Sequence, residues 1–215
     1  MLLKNFIRDL ALFTLTFTSA LSVQAIEKNM KSFEVIDKLI VTSPNDTRDY
    51  QVIRLANDLQ VLLVSDPDLK NSAASLSVPI GSMHNPDSQL GLAHYLEHML
   101  FLGSEKYPII NAYSKFMSQN GGYTNAYTAQ DATVYGFEVN DNAFAEALDR
   151  LADVMRAPLL DETYAEKERH TVNAEHKTNF DNDMRKLYAL QRYSLNPEHP
   201  MARFSTGDLT TLVDK

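Results

Sequence analysis

Cysteine and tryptophan are absent from this 215-residue sequence, and only 7 residues are glycine. Without cysteine, the chain has no disulfide, no thiolate metal ligand and no cysteine nucleophile. Positive charge is also scarce, with 20 Lys and Arg against 28 Asp and Glu and a formal net charge of -8. We therefore expect no nucleic-acid partner, because binding to phosphates requires clustered positive charge. Hydrophobic residues make up 44% of the chain, which favours a folded core over disorder.

The first 25 residues have the three-part pattern of a secretory signal peptide. Lys4 and Arg8 form a short basic start, residues 10–23 are almost entirely apolar or hydroxylic, and Val23-Gln24-Ala25 offers small residues for cleavage. The apolar run is shorter than the roughly 20 residues that a transmembrane helix needs. An N-terminal anchor or a buried helix is the alternative. We therefore expect export to the periplasm of a bacterium, with no membrane association once the signal is removed.

The remaining residues predict an α+β fold. Residues 26–48 are polar and charged and are interpreted as a leader segment, followed by one domain over residues 49–215. Strand patterns occur at 50–55, 60–64, 73–78 and 133–139, and helical patterns at 89–101, 110–119, 142–156, 161–179 and 184–193. Gly103 is expected to end the first of these helices, and Asp161 to cap the fourth. Strands followed by several helices favour a mainly antiparallel sheet with helices packed on one face.

The segment His94-Tyr95-Leu96-Glu97-His98 is an H-x-x-E-H motif within the predicted helix at 89–101. Residues 94 and 98 are about one turn apart, so both imidazoles leave one face of the helix about 6 Å from each other. Two ligands of a single zinc ion require this arrangement. Glu97 projects beside them, where a carboxylate can take a proton from a water molecule without being a ligand. The alternative is a pair of solvated or core histidines, which would need hydrogen-bond partners if they were buried.

A catalytic zinc has three protein ligands and one open position, so a third ligand must come from elsewhere in the chain. The predicted helix at 161–179 offers Glu162, Glu166, Glu168 and Glu175. Glu168 and Glu175 are about two turns apart and share one face, whereas Glu162 and Glu166 are expected to face solvent. One of the first two can bind zinc while the other orients a histidine. The spacing alone leaves both assignments open.

Several motifs in order resemble the insulinase family of inverzincin metallopeptidases. They are His94–Ser104, Lys106–Pro108, Asn120–Ala126, Asp149–Asp153, Glu168–Arg169, Val172–Glu175 and Asn196–Pro200. The resemblance begins near residue 45 and continues to the C-terminus. It implies an insulinase-type α+β domain with one zinc ion per chain. It also implies a metalloendopeptidase that hydrolyses oligopeptides or unfolded polypeptides.

The same resemblance implies a role for each residue of the site. The zinc ligands would be His94, His98 and Glu175. The catalytic carboxylates would be Glu97, as general base, and Glu168, as the glutamate that supports the site. Residues 121–126 would form an edge strand that faces the substrate, with Asn125 and Ala126 beside the scissile bond. Without the resemblance, these residues would favour a glycine-rich turn.

The chain length leaves two functional hypotheses. Members of the family that it resembles are much longer and have two halves that close around a chamber, so residues 49–215 are interpreted as a truncated N-terminal domain. The first hypothesis is a periplasmic zinc endopeptidase that acts on peptide substrates. The alternative is a catalytically inactive zinc-binding fragment, or one part of a split peptidase whose partner is the missing C-terminal half.

Overall fold

The computed structural model describes residues 33–36 and 40–213. Within this range, the residues up to Leu69 form one compact unit and those from Lys70 onward form a second. The predicted signal peptide at 1–25 lies outside the described residues, as do residues 26–32 and 37–39 of the predicted leader segment. The described part of the chain contains no helix that is long and apolar enough to cross a membrane.

The first unit contains a three-stranded antiparallel sheet with the order β1-β2-β3. Its strands are β1 (Phe33–Ile36), β2 (Asp49–Leu55) and β3 (Gln60–Ser65). The predicted hairpin between β2 and β3 is present, with Asp58 at a φ of 65° in its turn. Strand β1 was not predicted and lies within the range interpreted as a leader segment. Its four residues are too few for an alternating pattern, and its pairing with β2 defines it as a strand.

The second unit contains another three-stranded antiparallel sheet, with the order β4-β6-β5. Its strands are β4 (Asn71–Val78), β5 (Tyr123–Thr128) and β6 (Thr133–Asn140). The central strand β6 buries every second residue, including Tyr135, Phe137 and Val139. The described strands therefore form two sheets rather than the single sheet that was predicted. Local patterns identify strands, but membership of a sheet depends on pairing between distant segments.

The described residues form five α-helices, all in the second unit. They are α1 (Leu92–Leu100), α2 (Ala112–Gln119), α3 (Phe144–Arg156), α4 (Glu162–Thr178) and α5 (Asp183–Tyr193). Leu100 of α1, Met117 of α2 and Leu151 of α3 share one core cluster with the buried residues of β6. Helices therefore pack on one face of this sheet, which confirms the predicted antiparallel α+β class. Asp161 caps α4 as predicted, since its carboxylate accepts the Thr163 backbone N–H at 2.9 Å.

The ends of α1 differ from the prediction. The helix begins at Leu92 because Gly91 has a φ of 94°, a conformation outside the helical region. It ends at Leu100, with Phe101 as the C-cap residue. Gly103 therefore does not cap the helix, and that prediction was wrong. Gly103 instead has a φ of 142° in the connection to α2, two residues beyond the C-cap.

A buried carboxylate, Asp153 of α3, holds the connection between α1 and α2 in place. Asp153 is 5% exposed, accepts the Lys106 backbone N–H at 2.9 Å and pairs with Arg156 at 2.6 Å. The neighbouring Ser104 hydroxyl, the Arg156 guanidinium and the Lys106 N–H lower the pKa of Asp153 to about 2. These neighbouring groups, with Arg156 and the Lys106 N–H as hydrogen-bond donors, stabilise the charged form, so the carboxylate is ionised in the folded protein at neutral pH.

Replacing Asp153 by Asn is expected to lower the free energy of unfolding at neutral pH. The pKa is about 2 in the folded state against an ordinary value of 3.8. The stability that the carboxylate contributes is therefore present above about pH 5 and is lost as the pH falls toward 2. Urea unfolding of wild type and Asp153→Asn at several pH values should give a difference in stability that shrinks as the pH is lowered.

The matched control for this experiment is Asp149→Asn on the same helix. The Asp149 side chain is 46% exposed and pairs with Lys106, and exposed ion pairs contribute little to stability. Its replacement should have a smaller effect at neutral pH than Asp153→Asn. A stability difference between wild type and Asp153→Asn that stays constant with pH would contradict the role given to this carboxylate.

Candidate metal centre

Helix α1 presents two histidines and a glutamate within about one turn. The rings of His94 and His98 lie on one face, with their centroids 4.9 Å apart and their planes at 87°. Glu97, in the same turn, is buried. The spacing of the H-x-x-E-H motif therefore has the predicted consequence that the two imidazoles lie side by side.

A close approach between two glycines positions His94. Gly91 has a φ of 94° and Gly207 a φ of 89°, and a Cβ atom on Gly91 would lie 2.2 Å from the Gly207 Cα. Only glycine therefore fits at this contact. The adjacent Thr206 carbonyl lies 2.7 Å from His94 Nδ1. A carbonyl can only accept a hydrogen bond, so we assign the proton to Nδ1, which leaves Nε2 as the electron-pair donor.

Helix α4 brings two glutamates to the same pair of histidines. Glu175 Oε2 lies 3.4 Å from His94 Nε2 and 3.6 Å from His98 Nε2. Glu168 Oε2 lies 3.2 Å from His98 Nδ1, on the opposite side of that ring. The two glutamates thus share one face of α4, as their spacing predicted, but they contact different nitrogens.

Three side chains form a compact group of donors, which we call the His–Glu cluster. It consists of His94, His98 and Glu175, whose donor atoms all lie within 4.8 Å of one another. Among the described residues, it is the only group of three or more His, Asp or Glu side chains with this spacing. Packing of α1 against α4 holds the cluster together and includes a hydrogen bond from the Tyr95 hydroxyl to the Ala165 carbonyl at 2.7 Å.

Charges within the His–Glu cluster stabilise one another. The adjacent imidazoles of His94 and His98 hold the pKa of Glu175 far below its usual range, so this carboxylate is ionised. The nearby Glu175 carboxylate raises the pKa of His98. Burial works to lower the pKa of His94, but contacts with Glu175 and Thr206 outweigh it and raise that pKa. An ionised carboxylate facing two imidazoles is an arrangement that attracts a cation.

Glu97 lies outside the His–Glu cluster and is held by strand β5. Its residue is 9% exposed, and its Oε2 accepts a hydrogen bond from the Thr128 hydroxyl at 2.6 Å. Burial and the charge of Glu97 raise the pKa of the nearby Tyr135 to about 12, so this phenol is neutral. Glu97 is therefore a carboxylate beside the cluster that can accept a proton.

An open cleft of about 660 Å³ adjoins the His–Glu cluster and Glu97. Its lining includes residues 126–131, from β5 and the turn after it, together with Arg185 and Tyr188 of α5. Of the two residues predicted to contact substrate, Ala126 lines the cleft, whereas the exposed Asn125 does not. The lining begins at Ala126 and continues through Tyr127 and Thr128, so Asn125 lies just before the lined part of β5.

The outer edge of β5 is available for pairing with another strand. β5 pairs with β6 on one side, and no strand in the described part of the chain pairs with its other side. The Ala129 N–H donates to the Ala132 carbonyl at 2.8 Å, so the hydrogen-bonded pairs of this ladder fall at odd-numbered residues of β5. The backbone groups of Thr124, Ala126 and Thr128 therefore point to the outer edge.

The segment 121–126 is thus mainly strand, as the family resemblance implied, and the glycine-rich turn is confined to its start. Gly121 has a φ of 68°, and the strand begins two residues later at Tyr123.

Glu162 and Glu166 lie outside the site, as predicted; both are exposed, and Glu166 pairs with Arg169 at 2.8 Å.

Several residues that hold or line the site were not predicted from the sequence, among them Thr128, Thr206 and Arg185. Each reaches the site through the packing of a segment distant in sequence from α1. No local pattern of residue types marks such a contact, so no sequence signal could have identified them.

Comparison with known proteins gives concordant matches. A family model described as Insulinase (Peptidase family M16) matches residues 60–198. Protease 3 of Salmonella typhimurium is 45% identical over 183 residues, which are 85% of this chain and 19% of that protein. The insulin-degrading enzyme of Mus musculus is 44% identical over 177 residues, which are 82% of this chain and 17% of that enzyme.

A solved structure matches the fold as well. The crystal structure of pitrilysin has a TM-score of 0.82 and 44% sequence identity, and the match covers 86% of this chain and 20% of that chain. The chain thus spans about a fifth of the length of these relatives. The range matched by the family model contains the His–Glu cluster, Glu97 and Glu168. The chain belongs to the insulinase family, peptidase family M16.

Proposed function

We propose that this chain carries the zinc centre of a metalloendopeptidase that hydrolyses peptide bonds in oligopeptides or unfolded polypeptides. The observation that carries the proposal is the His–Glu cluster with the separate carboxylate of Glu97 beside it. Membership of a peptidase family supports it, as does similarity to a protein named Protease 3 and to an insulin-degrading enzyme.

The donor set of the His–Glu cluster suits one zinc ion. Two imidazole nitrogens and a carboxylate oxygen are a known ligand set of catalytic zinc sites, which keep a fourth position open. Tetrahedral bonds of about 2.0–2.2 Å separate two ligand atoms by about 3.3–3.6 Å, and Glu175 Oε2 lies 3.4 and 3.6 Å from the two Nε2 atoms. His94, His98 and Glu175 would hold one Zn²⁺ per chain. Zn²⁺ bound there would supply Lewis acidity toward a water molecule and a peptide carbonyl.

Glu97 is the proposed general base. It would accept a proton from the attacking water and deliver that proton to the leaving amine. The Thr128 hydroxyl donates to Oε2 of Glu97, and no other described residue hydrogen-bonds to this carboxylate, so Oε1 is the oxygen that would take the proton. Thr128 therefore orients the base without competing for its reactive atom.

The substrate peptide is proposed to bind as an additional strand along the outer edge of β5. The backbone groups of Ala126 face this edge and its side chain lines the cleft, which supports a position beside the scissile bond. Asn125 is retained as a proposed substrate contact, and its exposed side chain would act from the other face of β5. Pairing through backbone groups requires an extended peptide, which favours oligopeptides and unfolded chains over folded proteins.

The alternative is a catalytically inactive zinc-binding fragment, or one part of a split peptidase that needs a partner half. The chain spans about a fifth of the length of the relatives that it matches. Both hypotheses share the proposed location in the periplasm, which rests on the signal-peptide pattern at residues 1–25.

Cleavage of a fluorogenic oligopeptide by the purified chain separates the hypotheses. Cleavage that requires ZnCl₂ and is removed by a chelator supports the peptidase. Stoichiometric zinc binding without cleavage supports the fragment, and cleavage that returns when a C-terminal half from a relative is added supports the split enzyme. A chain that binds no zinc would overturn the proposed metal site.

Replacing Glu168 by Gln is expected to weaken zinc binding about 10- to 100-fold. Glu168 contacts His98 Nδ1 at 3.2 Å, so its carboxylate orients this ring and makes Nε2 a better donor. Competition with a chromophoric zinc chelator measures the change in affinity. Glu162→Gln replaces an exposed carboxylate on the same helix and should leave the affinity unchanged. If Glu168→Gln binds zinc as tightly as wild type, Glu168 does not support the site.

A further inference from the structure

Helix α5 and the turn after β5 meet at the cleft. The side-chain amide of Gln130, in that turn, donates to the Tyr188 hydroxyl of α5 at 3.1 Å. Arg185 lies about one turn before Tyr188 on the same face of α5, and both residues line the cleft. A guanidinium group therefore lies in the same cleft as the His–Glu cluster and Glu97.

Arg185 has no anionic partner among the described residues. Its backbone N–H donates to Asn182 Oδ1, but its guanidinium makes no hydrogen bond or ion pair with any described residue. The next residue, Lys186, pairs with Asp183 at 3.6 Å and does not line the cleft. Arg185 also lies in the first turn of α5, where the helix dipole favours anions over cations. Within the described residues, the positive charge of Arg185 is therefore stabilised neither by an ion pair nor by the dipole of α5.

The charges of the remaining cleft residues make Arg185 distinctive. Apart from the histidines, the Asp, Glu, Lys and Arg side chains that line the cleft are those of Glu97, Asp131, Glu175 and Arg185. Arg185 is thus the only permanent cation among the described lining residues. A guanidinium group binds a carboxylate through two parallel hydrogen bonds, which makes the contact geometrically specific.

We propose that Arg185 determines specificity by binding a carboxylate of the peptide substrate, so that peptides with an acidic residue near the scissile bond are preferred. This inference rests on the proposed peptidase function and adds the substrate class. An extended peptide on the outer edge of β5 would run past the turn at 129–132, which contacts α5 through Gln130. Its side chains would then come within reach of Arg185. The carboxylate is that of an Asp or Glu side chain or that of the peptide C-terminus, which has the same chemistry.

The test uses the full chain with Glu97→Gln and equimolar ZnCl₂, so that peptides bind without being cleaved. Fluorescence anisotropy gives the Kd of labelled, C-terminally amidated oligopeptides that differ only by Glu, Gln or Lys at one scanned position. At low ionic strength, we expect the Glu peptide to bind about fivefold more tightly than the Gln peptide at the best position. Adding Arg185→Gln should remove this preference, and Arg185→Glu should reverse it in favour of Lys.

Lys186→Glu is the matched control, because it makes the same change of charge as Arg185→Glu at the next residue, outside the cleft. It should keep the preference for Glu. Peptides with a free C-terminus identify the source of the carboxylate. If only these peptides bind more tightly in an Arg185-dependent way, the bound carboxylate is that of the peptide C-terminus. Binding without any charge preference, or a preference that survives Arg185→Gln, would overturn the inference and leave the proposed function intact. Failure of every peptide to bind any variant would overturn both.

Discussion

Replacing Glu175 by Gln is expected to weaken zinc binding by more than the roughly 100-fold that a supporting residue can cost. Glu175 supplies the single carboxylate of the His–Glu cluster and faces both Nε2 atoms. Since the adjacent imidazoles of His94 and His98 keep the pKa of Glu175 far below its usual range, the carboxylate is charged at neutral pH. Gln keeps the shape of the side chain but removes this charge. Competition with a chromophoric zinc chelator at neutral pH measures the loss.

The control for this substitution is Glu166→Gln on the same helix. Glu166 is exposed and pairs with Arg169 at 2.8 Å, away from the cluster, so its replacement should leave zinc affinity at the wild-type value. Circular dichroism of each variant checks that the fold is retained. Wild-type affinity in Glu175→Gln, combined with a large loss in Glu168→Gln, would exchange the roles of these two glutamates.

The second large effect is expected at Glu97, where Gln should lower the rate of peptide hydrolysis by about 100- to 10,000-fold. Gln cannot accept the proton of the attacking water, but it retains an oxygen that can accept the Thr128 hydrogen bond. Because Glu97 lies outside the His–Glu cluster, zinc affinity should stay close to that of wild type. The measurement compares kcat/KM for cleavage of a fluorogenic peptide between zinc-loaded wild type and zinc-loaded Glu97→Gln. A zinc titration of the variant gives its metal affinity.

These two readouts distinguish proton transfer from a structural role. Loss of zinc binding together with hydrolysis would mean that Glu97 supports the metal site or the fold. Glu105→Gln is the control, because the Glu105 side chain is 74% exposed and lies outside the cleft. It should leave both hydrolysis and zinc affinity unchanged.

Much of the fold could be predicted because its signals are local. Alternation along residues 133–139 identified β6, helical spacing identified α3, and Asp161 marked the start of α4. Predictions failed where an element depends on one backbone angle or on a distant partner. Gly91 delays the start of α1 through its positive φ, and β1 is defined by its pairing with β2 rather than by its own four residues.

Strand β5 was predicted from the family resemblance and not from its local residue pattern. Residues 121–126 favoured a glycine-rich turn, and only the resemblance implied an edge strand there. In the structure, pairing with β6 and packing against α1 make residues 123–128 a strand. The hydrogen bond from Thr128 to Glu97 depends on that packing, so residue patterns contain no signal for it.

The sequence by itself determined that His94, Glu97 and His98 leave neighbouring positions of one helix, because the helical repeat is a property of the local backbone. Only the tertiary structure decided that Glu175 faces both Nε2 atoms while Glu168 contacts the far side of His98, since α4 lies about 70 residues away along the chain. It also decided that Thr128 contacts Glu97 and that Arg185 faces the cleft. Backbone preferences set spacings within an element, whereas the distances between elements follow from how all of them pack around a common core.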